Sequence, residues 1–184
     1  MVMNENLKRK IIMSSSEPSE WIKKYLKKNI NNKNLLDLAC GSGRHSIYAS
    51  SLGYKVTSVD INKNKLSTLT LKKFISPIQL NIEEPNSWPF IDKSFNVVIV
   101  TNYLHRPIFK HIISSIKLNG ILLYETFSIE NSQFGRPNNP DYLLNSLELF
   151  LLAKKYKMEI LNYEENMIEF PSKKAIQRIY AKIK

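Results

Sequence analysis

Residues 35–45 read Leu-Leu-Asp-Leu-Ala-Cys-Gly-Ser-Gly-Arg-His. An apolar run carrying a single acid stops at two glycines one residue apart and passes into a helix-forming stretch. Glycine takes backbone angles that other residues avoid and lets a ligand approach the main chain. The first turn of the following helix leaves N–H groups unpaired. A strand, a glycine turn and a helix in this order open an α/β sheet that holds a nucleotide-like ligand beyond the carboxyl ends of its strands. The rest of the chain keeps alternating, which predicts a mostly parallel sheet with helices on both faces.

Ser16-Glu17-Pro18-Ser19-Glu20 reads as a helix start, with the helix reaching about Asn29. Strands are expected at Asn34–Ala39, Tyr54–Val59, Pro77–Leu80, Phe95–Thr101 and Ile121–Thr126. Helices are expected at Arg44–Leu52, from an Asn62 cap to Phe74, and at Pro107–Lys117, ended by Asn119-Gly120. The unbroken apolar run of the fourth strand predicts burial on both faces. A long loop from Phe127 to Tyr142 precedes a helix over Asn145–Tyr156, with Asn145 and Glu148 spaced as a variant capping box. Met158–Tyr163 and Ala175–Ile183 read as two strands joined by a turn near Pro171, giving seven strands with a closing antiparallel hairpin. A pure dinucleotide Rossmann sheet ends in parallel strands instead.

At 184 residues the chain suits one domain, expected at 16–184 behind a flexible arm at 1–15. No apolar run approaches the ~18 residues of a membrane span. The first thirteen residues carry only Ile11, Ile12 and Met13 as an apolar core, too few for a secretory segment, so a cytoplasmic location is expected. The single cysteine, Cys40, permits no internal disulfide, and the three scattered histidines form no metal set. The net charge of +11 admits an anionic partner, but the lysines are spread thinly and Asn and Ile are inflated beside them, as AT-rich codon usage produces. The expected partner is therefore a small-molecule substrate, with nucleic acid as the less favoured alternative, no membrane, and a monomer or homodimer.

Three details narrow the ligand. Ser46 stands where the third glycine of a dinucleotide fingerprint would be. Asp37 sits at the strand end, where a carboxylate repels a pyrophosphate but suits a ligand bearing sulfonium and ammonium groups. Asp60 ends the next strand, 17 residues beyond Gly43, where a carboxylate takes both hydroxyls of a ribose. An NAD(P)-dependent oxidoreductase fails on Ser46 and Asp37.

With these residues in register, the chain resembles the class I S-adenosylmethionine (SAM)-dependent methyltransferases, in Asp37-x-x-x-Gly41-x-Gly43, in Asp60 and in the terminal hairpin. It looks most similar to small bacterial enzymes of the tellurite-resistance and thiopurine type. The resemblance implies a Rossmann-like class I methyltransferase fold with SAM as cofactor. The Gly41–Gly43 backbone would lie under the methionine part, flanked by Ala39, with Asp37 toward the amino group and Arg44 toward the carboxylate. Ile61 would pack on the adenine, and Asn81, beside Ile82, would accept its amino group where relatives often carry aspartate; Glu83 is a weaker substitute. Thr101 and Asn102 would form the rim at the methyl. Trp21 is a candidate lid residue.

Candidate substrate groups follow the fourth and fifth strands. His105 can act as a general base or hold a loop. Arg106 and Arg136 can bind an anionic substrate or clamp a loop. Tyr103, Tyr124, Phe127 and Phe134 can wall a dry pocket around a sulfonium or belong to the core. His45, in the first helix, reads as structural. The Asn/Asp-Pro-Pro-Tyr/Phe mark of base amine methylation is missing after the fourth strand, and no large substrate domain is inserted. These features favour a small substrate, and the resemblance implies methyl transfer to a small thiol, sulfide or related selenium or tellurium nucleophile. The alternatives are an RNA or other nucleic-acid methyltransferase and a small-molecule O- or N-methyltransferase.

Overall fold

The apolar strand runs do bury both faces, because alternate side chains point into two different cores. In the computed structural model, which describes residues 17–27, 33–169 and 172–184, the strands are β1 Asn34–Leu38, β2 Lys55–Asp60, β3 Ile75–Gln79, β4 Phe95–Thr101, β5 Ile116–Phe127, β6 Glu159–Ile168 and β7 Lys174–Lys182. They form a seven-stranded sheet in the order β3-β2-β1-β4-β5-β7-β6. The first five strands pair in parallel, and β7 inserts antiparallel between β5 and β6.

Among the described residues the helices are α1 Glu20–Tyr25, α2 Arg44–Ser51, α3 Lys63–Leu66, α4 Phe109–Ser114 and α5 Glu148–Lys155. Leu36, Leu38, Val98 and Val100 pack with Ile112 of α4 and Leu149 of α5. Their strand neighbours Leu35, Val97 and Ile99 pack with Trp21 and Ile22 of α1, Ala49 of α2 and Leu66 of α3. The layer order expected from the sequence is present, with helices on both faces.

Several boundaries move. The first helix starts at Glu20, where Ser19 accepts the Ile22 N–H at 3.4 Å, and ends at Tyr25; its expected extension to Asn29 runs outside the described residues, as do the 1–15 arm and the turn at Pro171. Asn62 does cap the third helix by accepting the Lys65 N–H at 3.1 Å. That helix is α-helical only to Leu66 and then tightens into a 3-10 turn over Ser67–Leu69. Leu69 turns in against Gly43, and Phe74 takes φ 64° on entry to β3, so the helix cannot continue to Phe74.

The helix expected over Pro107–Lys117 is a 3-10 turn, Arg106–Ile108, followed by α4. Buried Ile116 already pairs with Phe95, so β5 begins there rather than at Ile121. Helix α5 starts at Glu148 because Leu147 takes φ 59°. Glu148 still performs half of a capping box by accepting the Asn145 N–H at 2.9 Å.

Candidate functional site

The parallel strands end together, and the chain must leave them through turns at the same edge. Ala39 leaves β1 at φ 51°, and Gly41 and Gly43 follow at φ 59° and 78°. All three are in the left-handed region, where a side chain costs energy. At Gly41 a Cβ would meet nothing within 4 Å, since that face borders open space; at Gly43 it would lie 2.5 Å from the Leu69 side chain. Gly41 therefore leaves room, and Gly43 lets the 3-10 turn pack against the helix start.

This turn borders a cavity of about 790 Å³, within the ~300–1,000 Å³ range of small-molecule sites. Its wall runs from Ala39–Ser42 and Arg44 past Asp60, Ile61 and Lys65 to Leu80–Glu83, and closes on Thr101–Tyr103. These residues belong to the ends of β1, β2, β3 and β4, where an open sheet takes its ligands.

Two carboxylates organise the turn. Asp60 accepts the Gly41 N–H at 2.7 Å through Oδ2 and the Asn62 N–H at 2.8 Å through Oδ1. A dinucleotide phosphate would need that Gly41 donor; here a carboxylate takes it, leaving one lone pair on each oxygen for hydroxyl groups. Asp37 is 0% exposed beneath the turn. Its Oδ2 accepts the Ser46 hydroxyl at 2.6 Å, and Ser46 accepts from Ser58 at 2.7 Å. Its Oδ1 is buried with no partner. Burial, only partly offset by Ser46, raises the carboxyl to about 7. Ser46 thus fills the third-glycine position with a hydroxyl that holds Asp37, a use the glycine pattern alone did not signal.

His45 is buried and its basicity falls to about 3, through burial and the Arg44 charge. Its Nε2 accepts the Ser19 N–H at 3.1 Å, so the neutral ring carries its proton on Nδ1, 3.2 Å from the Thr101 hydroxyl. Ser19 also donates to Glu125 at 3.0 Å, and Glu125 pairs with Arg178 at 2.7 Å. Arg44 lines the cavity while donating to the Glu17 carbonyl at 3.1 Å. The entry to α1 is therefore tied to the ends of β4 and β5 and to the start of α2. Cys40 also lies in the wall; burial pushes its thiol up, so it stays a neutral packing group.

The structure brings Ala39, Gly41, Arg44, Asp60, Ile61, Asn81, Ile82, Thr101 and Tyr103 into one cavity wall. Asp37 and Gly43 belong to the same strand end and turn but are not part of that wall. Other expectations are corrected. Trp21 belongs to the core, not to a lid, and its Nε1 donates to the Ile179 carbonyl. Tyr124 is a support, 0% exposed, whose hydroxyl donates to the Tyr103 carbonyl at 2.9 Å. Arg106 is a clamp rather than a catalytic group. It donates to both Glu148 oxygens at 2.7 and 2.8 Å and to the carbonyls of Asp141 and Leu143. Phe134 and Arg136 lie on the loop after β5, outside the lining of this cavity, and Phe134 lies under the Lys173 ammonium. His105 is also off the wall, with Nδ1 4.0 Å from Glu83. Lys65, a wall residue, escaped the sequence reading; a lone lysine in a lysine-rich chain carries no signal there.

The family described as tellurite resistance protein TehB matches residues 14–178. A probable SAM-dependent methyltransferase TehB of Haemophilus influenzae is 32% identical over 149 residues, which cover 73% of this chain and 49% of that protein. The chain spans about half the length of the curated relatives it matches. The crystal structure of TehB from Haemophilus influenzae superimposes with a TM-score of 0.69 at 27% identity, covering 84% of this chain and 59% of that one. A SAM-dependent methyltransferase structure from Listeria monocytogenes gives a TM-score of 0.71 at 19% identity, covers 94% and 98% of the two chains, and supports the fold.

Proposed function

The chain belongs to the tellurite resistance protein TehB family, and on that premise we propose that it is a SAM-dependent methyltransferase acting in the cytoplasm on a small, soft nucleophile. The favoured acceptor is a thiol, sulfide or related selenium or tellurium compound. The observation that carries the reading is the acidic glycine-turn cavity. A buried Asp37 oxygen has no partner, Asp60 occupies the Gly41 N–H where a phosphate would bind, and Gly41 leaves open space beside the main chain.

That donor set fits SAM, which when bound supplies an electrophilic methyl on a sulfonium. Gly41 and Ser42 form the floor for the methionine part, and Arg44 is the cation for its carboxylate. Asp37 places a carboxyl beneath the cationic part of the ligand, whose positive charge favours the ionised form. The Asp60 oxygens hold the ribose, with Ile61 over the base. Val59, Leu80 and Ile82 keep the wall apolar and exclude water, which strengthens each polar contact inside. Thr101, fixed by the neutral His45, sets the edge of β4 at the rim.

Methyl transfer of this kind needs alignment and a dry site more than proton chemistry. A thiol with a pKa of ~8.5 ionises with little help, so the soft acceptor asks least of a wall that presents no buried base. The family's description supports the same chemical class.

The test is to incubate the purified protein with SAM and, separately, sulfide, methanethiol, selenide and total RNA, and to quantify S-adenosylhomocysteine by mass spectrometry. Release with the chalcogen nucleophiles alone is expected. Release with RNA alone sinks the small-acceptor reading and makes the +11 charge functional.

A further inference from the structure

Thr101 ends β4 and stands in the cavity wall. Among the described residues its side chain makes one hydrogen bond, with Nδ1 of His45 at 3.2 Å. The far side of the imidazole decides which partner donates. There Nε2 faces the main-chain N–H of Ser19 at 3.1 Å. A main-chain N–H can only donate, so Nε2 accepts and the neutral ring carries its proton on Nδ1. Thr101 therefore accepts from His45, and its own hydroxyl proton points elsewhere.

The ring is held firmly in this orientation. His45 is 1% exposed, so turning it over would break both bonds in a place that water does not reach. Ser19 is itself anchored, because its hydroxyl donates to Glu125 at 3.0 Å, and the same carboxylate oxygen takes Nε of Arg178 at 2.7 Å. Glu125 lies opposite Thr101 in the β4–β5 register, and its carbonyl accepts the Asn102 N–H at 2.9 Å. The whole chain of bonds thus closes on the strand end that carries Thr101. No acceptor for the Thr101 hydroxyl proton is found among the described residues, and the side chain borders the cavity. A ligand that brings a lone pair to that proton relieves an unpaired donor.

The sheet order indicates which ligand that is. The cofactor reading runs from the Gly41 turn after β1 to Asp60 at the end of β2 and on toward β3, while β4 flanks β1 on the opposite side. The β4 side is left for the incoming nucleophile. We propose that the Thr101 hydroxyl donates a hydrogen bond to the methyl acceptor and holds it as a sulfur, selenium or tellurium anion, with His45 and Ser19 as positioning residues that aim the hydroxyl. The proposal rests on the methyltransferase reading above and adds the group that meets the acceptor. A hydroxyl bound to an anion makes a charge-assisted bond, stronger than one to a neutral atom. His45 has its accepting nitrogen occupied, so it takes no proton from Thr101, and the pair serves as a donor and not as a base. A lone pair of the anion forms the bond to the methyl carbon as the carbon–sulfur bond of the sulfonium breaks, and the electrons of that bond pass to the departing sulfur. No proton moves, and Thr101 keeps its own.

The test combines kinetics with methanethiol at saturating SAM, calorimetric binding of S-adenosylhomocysteine, and 1H–15N spectra of the histidine rings. Thr101→Val keeps the shape of the side chain and removes the hydroxyl. It should raise KM for methanethiol by about tenfold to a hundredfold, the scale of one hydrogen bond to a charged group. It should leave kcat within about threefold and the affinity for S-adenosylhomocysteine within about twofold, as loss of an acceptor contact requires. Thr101→Ser should bring KM back to within a few-fold of wild type. The spectra should show the His45 proton on Nδ1, with its shift moving in Thr101→Val while the Nε2 signal stays. An unchanged KM in Thr101→Val, a loss that appears in S-adenosylhomocysteine affinity instead, or a His45 proton on Nε2 overturns the proposal and leaves the methyltransferase reading standing. Absence of turnover by the wild-type chain with methanethiol, sulfide and selenide overturns the soft-acceptor reading and this proposal together.

Discussion

Gly41 and Gly43 share a left-handed backbone but not a reason for it, and substitution should separate them. An alanine at 43 brings a methyl to 2.5 Å from Leu69, adding overpacking to backbone strain, together roughly 2–4 kcal/mol. Gly43→Ala should lower the melting temperature by on the order of 8 °C. Gly41→Ala meets nothing within 4 Å and should cost only about 1 kcal/mol of stability, yet weaken SAM binding, because the methyl enters the space the ligand approaches. Thermal melts with and without ligand check both, and equal melting losses would refute the distinction. The residues that make this turn were legible because their backbone demands leave a sequence mark. Lys65 was not, since a lysine suits almost any surface position and only the fold puts it into the cavity wall; Ser46 was legible as a missing glycine, but only the fold sets its hydroxyl against Asp37.

Between elements, the Arg106–Glu148 pair joins the segment after β4 to α5 and, through two carbonyls, to the end of the long loop. Partly exposed ion pairs contribute little unless geometry is good; this one is bidentate. A double-mutant cycle with Arg106→Leu and Glu148→Leu should return a coupling of about 1–2 kcal/mol in urea denaturation. Coupling near zero would mean the clamp is only a surface contact. The element boundaries that sequence misplaced sit where tertiary contacts outweigh local preference. Lys117-Leu118-Asn119 reads as a helix end, but Ile116 is buried against Phe95 and pulls the segment into β5. The Asn62 cap was legible because its mechanism is local, while the early end of α3 depends on Leu69 reaching Gly43 across the fold.

For the whole molecule, two buried groups give opposite responses to pH. Asp37 rises from an ordinary 3.8 to about 7, so the folded chain holds a proton the unfolded chain has lost. Its contribution is full below about 3.8 and is lost as pH climbs through 7. His45 falls from 6.5 to about 3, so the unfolded chain gains a proton that the folded chain refuses. Its contribution is full above 6.5 and is lost as pH drops toward 3. Between pH ~4 and ~6.5 the slopes oppose each other at on the order of 1 kcal/mol per pH unit each. The wild-type chain should show little net dependence from this pair. His45→Gln should make stability fall as pH rises across that window, and Asp37→Asn should make it rise. Urea midpoints at pH 4.5 and 6.5 decide; variant curves parallel to wild type would contradict the assignment.

The place of β7 between β5 and β6 has a further consequence for how the chain is made. Synthesis delivers β6 before β7, and among the described residues β6 pairs with β7 alone. A chain ending at Ile168 would contain every strand of the parallel half of the sheet, while β6 would lack its β7 partner and β5 its antiparallel neighbour. Closure needs the nine residues Lys174–Lys182, which pair with both neighbours. The half of the sheet that carries the glycine turn is thus encoded before the strand that closes the other half.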